Sequence, residues 1–306
     1  MTFPQPLHRR RTLGGWTIHE IQAGGQRLDG GAMFGVVPKP LWERRIPADE
    51  RNRIQLGMRC LLVEHEIGPV LIDTGAGNKE DRKFYDIYGI ENAAPRSAAA
   101  TTDPADADGG GHRTALEAGL AAAGVRPEEV AMVINTHLHF DHAGGNTYTD
   151  AEGRVRLSFP NARYVVQEGE YRYANSPNER TAASYFPRNW EPTREAGRLE
   201  LLRGETEIVP GITGLPTPGH TPHHQSIVLR QGGQTLIFLG DLVPTRHHLP
   251  LAWIMGYDVE PLVTLESKRR VLREALAEGW ELSFEHDADV ASGQLSFDGK
   301  AYRLAD

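Results

Sequence analysis

The chain has 306 residues, of which 39% are hydrophobic and 24% are charged, and these fractions are ordinary for a globular protein. The net charge of −8 gives no support for a nucleic-acid partner, because such a partner needs a basic face. No apolar run approaches the length of a membrane span, and no apolar stretch follows the basic N-terminal residues as it would in a secretory signal. Cys60 is the single cysteine, so a disulfide framework is excluded and a cytoplasmic location is expected.

The first third of the sequence is rich in predicted strands. Residues 14–21 alternate between polar and apolar types, and residues 55–63 and 68–75 form two apolar runs joined by a short turn. Between residues 21 and 55, the segment 38–45 mixes prolines, a tryptophan and charges, which predicts a loop. Trp42 in this loop either faces a substrate or packs beneath the loop, and the sequence does not favour the first reading over the second.

Asp73 stands at the end of the second apolar run, directly before a glycine turn. A carboxylate at such a place either orients a metal-bound imidazole through the other ring N–H or caps the turn. A compositional break follows over residues 93–112, where small, polar and glycine residues predict a mobile surface loop. Because the segment after this loop needs the strands before it, residues 1–306 are expected to form a single domain.

The most informative stretch is Thr-His-Leu-His-Phe-Asp-His-Ala-Gly-Gly at residues 136–145. A helix is predicted over residues 114–124, and an apolar strand over residues 130–134 leads into the stretch. Imidazole nitrogens and carboxylate oxygens are ligands for zinc and its neighbours in the transition series. A lone histidine would favour an ordinary surface position, whereas a cluster of such groups predicts a metal site. The clustered groups are His137, His139, Asp141 and His142.

The second half of the sequence again alternates between strands and helices. Strands are predicted at residues 162–166, 207–215, 225–229, 234–241 and 282–287, and helices at residues 168–173 and 264–280. This order predicts sheets that are covered by helices on their outer faces. Three further residues of metal-binding type lie at the ends of predicted strands. His220 follows a strand, and Asp241 and His286 end strands. Seven ligands are too many for one tetrahedral zinc and suit two metals that share a carboxylate.

The stretch at residues 136–145, with the three later ligands, resembles the metallo-β-lactamase fold superfamily. The resemblance implies a four-layer α+β sandwich of the αββα type, in which two mixed β-sheets are flanked by helices. It implies a first metal held by His137, His139 and His220, a second held by Asp141, His142 and His286, and Asp241 as a bridge between them. Because Leu-Ile-Asp-Thr-Gly at residues 71–75 is the usual early motif of this family, the resemblance also favours Asp73 as a residue that orients a metal ligand.

Within the superfamily, residues 137–146 and 218–226 are most similar to the N-acyl homoserine lactonases and the methyl parathion hydrolases. The lactonases place a tyrosine shortly after the bridging aspartate, where it contacts the substrate carbonyl. Here no tyrosine stands between Asp241 and His248. The candidates to take its place are Tyr257, Arg246, His247 and His248, and the sequence does not decide among them. The candidate pocket residues are Trp42, Phe140, Arg246, His247, His248 and Tyr257.

The predicted reaction is hydrolysis of a small ester, lactone or related acyl compound by a hydroxide that bridges two divalent metals. Zinc is the expected metal, and manganese, iron and cobalt suit the same donors. Asp141 and Asp241 are the expected catalytic carboxylates, with Asp141 as a proton relay to the leaving group.

Three alternatives stay open, namely phosphotriester or phosphodiester hydrolysis, nuclease activity, and a catalytically silent metal-binding protein. The expected partner is a small-molecule substrate, without nucleic acid or membrane. The resemblance implies a homodimer as the candidate assembly.

Overall fold

The computed structural model describes residues 6–93 and 114–305. The predicted mobile loop over residues 93–112 therefore lies, apart from Ala93, outside the described residues. Ala93 pairs with Thr114 in an isolated antiparallel bridge, so the residues on either side of this segment lie next to each other. In the described ranges, no helix combines the length and the apolar character that crossing a membrane requires.

The order of secondary structure follows the predicted order. The strands are β1 (His8–Leu13), β2 (Trp16–Asp29), β3 (Arg53–His65), β4 (Gly68–Ile72), β5 (Met132–Ile134), β6 (Thr147–Thr149), β7 (Val155–Leu157), β8 (Arg163–Gln167), β9 (Leu199–Leu202), β10 (Thr206–Val209), β11 (Ile212–Pro216), β12 (Gln225–Gln231), β13 (Gln234–Phe238), β14 (Glu281–Ser283), β15 (Ser292–Phe297) and β16 (Tyr302–Leu304). The helices are α1 (Gly30–Phe34), α2 (Lys39–Trp42), α3 (Arg82–Tyr88), α4 (Ala115–Ala122), α5 (Phe140–Ala143), α6 (Glu168–Ala174), α7 (Glu191–Glu195) and α8 (Pro261–Glu278).

The ends of the helices follow from their sequences. The long helix α8 begins at Pro261, where a missing N–H costs nothing, and ends at Gly279, which adopts the left-handed conformation with φ 68°. The segment 38–45, predicted to be a loop, instead contains the short helix α2. Pro40 lies in the first turn of this helix, where proline is compatible with helical backbone, so the prolines did not exclude a helical turn.

Most described strands belong to two mixed sheets of seven strands each. The first has the order β1-β2-β3-β4-β5-β8-β9, and the second has the order β10-β11-β12-β13-β14-β15-β16. In the first sheet β4 and β5 run parallel, with Ile72 opposite Ile134. In the second sheet β13 and β14 run parallel, with Phe238 opposite Ser283. The carboxyl ends of each parallel pair therefore meet at one edge of their sheet.

The alternation of side chains along the central strands produces the layers. In β3, Leu61 and Val63 belong to the core between the two sheets, whereas Leu62 belongs to a second core on the outer face. In β13, Phe238 likewise faces the core between the sheets, and Ile237 faces outward. Because successive strand residues point to opposite faces, apolar runs of this kind indicate sheets that are buried on both sides.

Helices cover the two outer faces. Leu116 and Leu120 of α4 pack on the outer core of the first sheet, and Val271 and Leu272 of α8 pack on that of the second. The result is the predicted four-layer αββα sandwich, which is thereby confirmed.

Candidate metal centre

The predicted metal ligands lie in loops at the carboxyl ends of central strands. His137, Asp241 and His286 each stand three residues beyond the last residue of β5, β13 and β14, respectively. His139 follows in the same loop as His137, and His220 lies in the loop after β11. Asp141 and His142 lie in the single turn of α5. The structure brings all seven side chains together, and each of these residues is at most 8% exposed.

A first group of donor atoms comes from His137, His139, His220 and Asp241, and these atoms lie within 4.8 Å of one another. Nδ1 of His139 lies 3.0 Å from Nε2 of His137 and 3.1 Å from Nε2 of His220. Burial and the neighbouring imidazoles hold the pKa of His137 and of His139 well below the ordinary value. These rings are therefore neutral, which is the form that binds metal ions.

A second group of donor atoms, with the same mutual spacing limit, comes from Asp141, His142 and His286. Nε2 of His286 lies 3.2 Å from Nε2 of His142 and 3.7 Å from Oδ2 of Asp141. Gln26 of β2 donates a hydrogen bond of 2.5 Å to Oδ2 of Asp141. The side chain of Asp141 is therefore held by a residue of a different strand.

Asp241 lies between the two groups. Its Oδ2 is 3.1 Å from Nε2 of His220, and its Oδ1 is 3.0 Å from Nε2 of His286. Burial opposes ionisation, but the imidazoles of His286 and His220 hold the pKa of Asp241 well below its usual range. Oδ1 is buried and accepts no well-aligned hydrogen bond in the described structure. A buried carboxylate oxygen without a proper donor, facing several imidazole nitrogens, fits a site for divalent metal ions.

The imidazoles are held from behind by their second ring nitrogens. The contacts join Nδ1 of His137 to Oγ1 of Thr136 (3.0 Å), Nδ1 of His142 to Oδ2 of Asp73 (3.1 Å), Nδ1 of His220 to Oδ1 of Asp258 (2.9 Å), and Nδ1 of His286 to the carbonyl oxygen of Gly57 (2.7 Å). Such partners fix the ring orientation and aim the other nitrogen at the metal position. Asp258 and Gly57 were not predicted, because Asp258 belongs to no motif and a backbone carbonyl leaves no trace in the sequence.

Asp73 lies directly after β4 and adopts a positive φ of 54°, which is uncommon for a residue other than glycine. Its Oδ1 accepts the backbone N–H of Thr136 at 2.8 Å, and its Oδ2 accepts the hydroxyl of Thr136 at 2.7 Å. The contact with His142 adds to these two bonds. Asp73 therefore lies behind an imidazole of the cluster, as its predicted orienting role requires, and that role stays a prediction.

Glu285 was also not predicted, although it precedes His286. Its side chain is fully buried, and Oε2 lies 3.0 Å from Nδ1 of His142, on the side where Asp73 also lies. Burial, more than any neighbouring charge, raises the pKa of Glu285 well above its ordinary value.

A cavity of about 330 Å³ opens over the cluster. Donor residues of both groups form its floor, namely His139, Asp141, His220, Asp241 and His286. Apolar side chains form much of its wall, namely Leu28, Ala32, Met33, Phe140, Met255 and Val259. Tyr88, Tyr257 and Arg180 also line it, and Arg180 donates a hydrogen bond of 2.7 Å to the carbonyl oxygen of Gly256.

Of the predicted pocket residues, Phe140 and Tyr257 line this cavity, whereas Trp42, Arg246, His247 and His248 do not. Trp42 is 1% exposed and stacks on Phe34 with ring centroids 5.4 Å apart, so it packs beneath the loop. His248 is buried, stacks on Phe34 with ring centroids 4.5 Å apart, and lies 2.8 Å from the carbonyl oxygen of Met33.

Arg246 turns away from the cluster to pair with Asp287, with 3.1 Å between Nη1 and Oδ1. His247 is half-buried beside it in the same 3₁₀ turn. Closeness in sequence to Asp241 therefore did not place these residues in the pocket, since Arg246 pairs with Asp287 and His248 packs on Phe34. Tyr88 and Arg180 line the cavity from segments that contain no motif, so the sequence offered nothing to select them.

Comparison with known proteins identifies the family. A family model for the metallo-beta-lactamase superfamily matches residues 58–285. The chain belongs to this superfamily. It is 27% identical over 250 residues to an N-acyl homoserine lactonase of Bacillus cereus, a match that covers 79% of this chain and 86% of that protein. A probable metal-dependent hydrolase from Staphylococcus aureus is similar in structure, with a TM-score of 0.82, 31% identity, and coverage of 97% of this chain and 99% of that chain.

A more distant structural neighbour is AidC, a dizinc quorum-quenching lactonase. The match has a TM-score of 0.76 and covers 97% of this chain and 96% of that chain. At 16% identity, it shows a shared fold and no more. The predicted superfamily and the lactonase-like resemblance are thus confirmed, and the chain is a hydrolase of this superfamily with side chains suited to divalent metals. The ligand assignment, the single domain, the cytoplasmic location and the homodimer stay predictions.

Proposed function

We propose that this hydrolase uses two divalent metal ions, most suitably zinc, to cleave a small ester, lactone or related acyl compound. The observation on which the proposal depends is the cavity of about 330 Å³, whose floor contains metal-ligand side chains and whose wall is largely apolar. A cavity of this size and lining is typical of sites for small organic molecules. The lactonases among the relatives support an acyl substrate.

His137, His139 and His220 would hold one ion, Asp141, His142 and His286 would hold the other, and Asp241 would touch both. When bound, such a pair of ions supplies a water of lowered pKa as nucleophile and a Lewis acid for the substrate oxygen. Manganese, iron and cobalt fit the same nitrogen and oxygen donors.

Asp141 has two features that suit proton transfer. It lines the cavity, and Gln26 holds one of its carboxylate oxygens by a hydrogen bond. We therefore assign to Asp141, in addition to its place among the ligands, the uptake of the proton that the attacking water loses and its transfer to the leaving group. The amide of Gln26 fixes the carboxylate in the orientation that this transfer needs.

Tyr257 is the candidate for the residue that contacts the substrate carbonyl. Of the four residues considered for this role, it is the one that lines the cavity. Burial raises the pKa of Tyr257 to about 12, so its phenol keeps its proton at neutral pH and can donate a hydrogen bond. Tyr257→Phe is expected to lower kcat by about 10-fold, since one donor to a developing charge is lost. Tyr88→Phe, in a tyrosine that lines the same cavity, is the matched comparison.

The deciding experiment is a substrate panel on metal-reconstituted protein. It contains lactones with short and long acyl chains, aryl esters, phosphotriesters, phosphodiesters and single-stranded RNA and DNA. Turnover of lactones or esters supports the proposal. We expect kcat/KM to be higher for longer apolar chains, which contact the apolar wall of the cavity. Turnover of phosphoryl compounds or nucleic acid without acyl turnover would replace it with one of the phosphoryl-transfer alternatives.

The silent metal-binding alternative is tested by His142→Ala. If the protein is a hydrolase, this variant loses turnover together with one bound ion. Two ions bound, with no activity in the wild type or the variant, would favour the silent protein.

A further inference from the structure

Glu170 in helix α6 is a buried carboxylate that contacts two of the loops around the metal centre. Its side chain has no exposed surface, and both of its oxygens accept hydrogen bonds. Oε1 accepts the backbone N–H of Leu138 at 3.1 Å and the hydroxyl of Tyr185 at 2.8 Å, and Oε2 accepts the hydroxyl of Thr221 at 2.7 Å. One side chain therefore joins three segments that are distant in sequence.

The contacts of Glu170 lie next to the ligands of the first group. Leu138 stands between His137 and His139, and Thr221 directly follows His220. The first of these loops comes from the first sheet and the second from the second sheet. The carboxylate therefore spans the two loops whose imidazoles have to approach each other to share one ion.

Tyr185 extends this arrangement to a ligand ring. Its ring packs on that of His139 with centroids 4.7 Å apart, while its hydroxyl is held by Glu170. No hydrogen bond of Glu170 in the described structure reaches the residues of the second group, Asp141, His142 and His286. Any effect of Glu170 on metal binding should therefore fall on the first position.

A carboxylate without solvent contact is costly unless donors compensate it. Burial raises the pKa of Glu170 although three donors oppose that rise. Since an apolar side chain would fill the same space without this cost, packing alone does not account for a glutamate here. Holding the two loops at a fixed separation does.

We propose that Glu170 is a positioning residue that, through Leu138, Thr221 and Tyr185, sets the separation of His139 and His220 and thereby the affinity of the first metal position. The inference rests on the proposed function only in its assignment of His137, His139 and His220 to one ion. It does not depend on which substrate the enzyme cleaves.

The test compares Glu170→Ala with Glu170→Gln. Glutamine keeps the connections, because its amide oxygen can accept from Leu138 and Tyr185 while its NH₂ donates to the Thr221 hydroxyl. The apo forms of the full-length proteins are titrated with Co²⁺ or Zn²⁺ against a competing chromophoric chelator, which gives two affinities. Glu170→Ala is expected to weaken one position by about 10- to 100-fold and to leave the other within about threefold, and Glu170→Gln is expected to leave both within about threefold.

Thr221→Val removes a single donor and provides a second test if Glu170→Ala does not fold. It is expected to weaken the same position by about 3- to 10-fold, the worth of one hydrogen bond. Glu168→Gln is the matched control, since Glu168 lies on the same helix but pairs with Arg172. The ligand set of the weakened position is checked by the Co²⁺ absorption spectrum, which a purely structural defect would not change selectively.

Three results would overturn the inference. These are unchanged affinities in both Glu170→Ala and Thr221→Val, equal weakening of both metal positions, or the same loss in Glu170→Gln as in Glu170→Ala. The proposed function fails separately, if the wild-type protein binds both ions and hydrolyses no acyl substrate. Acyl turnover by the wild-type protein, together with unchanged metal affinities in both Glu170→Ala and Thr221→Val, would remove the positioning role and leave the proposed function intact.

Discussion

Replacing Asp258 is expected to weaken metal binding through His220. Asp258 is 2% exposed, and its Oδ1 lies 2.9 Å from Nδ1 of His220, the ring nitrogen that faces away from the cluster. Burial lowers the basicity of His220, but the carboxylates of Asp241 and Asp258 overcome this and raise its pKa. Asp258→Ala removes one of these carboxylates and frees the ring to rotate. His220 should then be both a weaker and a less well-aimed ligand.

The expected magnitude follows from the single contact that is lost. A hydrogen bond that involves a charged group contributes about 1.5–3 kcal/mol, and each 1.4 kcal/mol corresponds to about a factor of ten in an equilibrium constant. Asp258→Ala should therefore weaken one metal position by about 10- to 100-fold, which agrees with the range known for residues behind metal ligands. Asp258→Asn keeps an acceptor for the ring N–H but loses the charge, so its loss should be smaller.

The assay is competitive metal titration of the apo proteins, followed by kcat measured at saturating metal. Asp289→Ala is the control, because Asp289 is an exposed carboxylate of the same charge, 78% exposed in its side chain and paired with Arg246. An Asp258→Ala protein that melts like the wild type and binds both ions with wild-type affinity would refute the reasoning. So would an Asp289→Ala variant with the same loss, since the effect would then be one of net charge.

Further predictions concern the metal, the pH dependence and the core. Removing the metals with a chelator should abolish hydrolysis, and adding Zn²⁺ should restore it; turnover in protein shown by elemental analysis to be metal-free would contradict the metal requirement. Burial lowers the pKa of Lys268 from 10.5 to about 7. Between these pH values the unfolded chain therefore binds more protons than the folded chain. The contribution of Lys268 to stability rises as the pH rises from about 7 to about 10. Urea unfolding of the apo protein should therefore show a smaller gain in stability over this range in Lys268→Met than in the wild type, and an equal gain would contradict the assignment. Leu229→Ala, between the two sheets, should lower the free energy of unfolding by about 2–5 kcal/mol while the metal content stays unchanged, and loss of the metals in the folded variant would contradict this separation.

Several features could be predicted from the sequence because their causes are local. Apolar runs such as residues 225–229 show strands, and the spacing of apolar residues over 264–280 shows the helix that becomes α8. The clustering at residues 136–145 predicted a metal site without any knowledge of the fold. The resemblance then added His220, Asp241 and His286 from distant positions, and these side chains do lie together.

The pocket was predicted less well. Trp42, Arg246, His247 and His248 were chosen for their type or for their closeness to Asp241, and all four lie away from the cavity. Whether an aromatic or basic side chain faces a cavity or the core depends on the path of the chain through three dimensions. Arg246, which lies in a 3₁₀ turn five residues after Asp241, pairs with Asp287 and does not line the cavity.

The sequence by itself predicted sheets covered by helices and the candidate metal ligands of residues 136–145, because side-chain periodicity and donor chemistry are properties of short segments. Only the tertiary structure decided which groups stand behind those donors. Asp258, Gly57 and Glu170 reach the cluster from separate elements, one of them by a backbone carbonyl, and no local pattern records such a meeting. Hydrogen bonds of this kind depend on distance and direction between segments, and these exist only once both sheets have packed together.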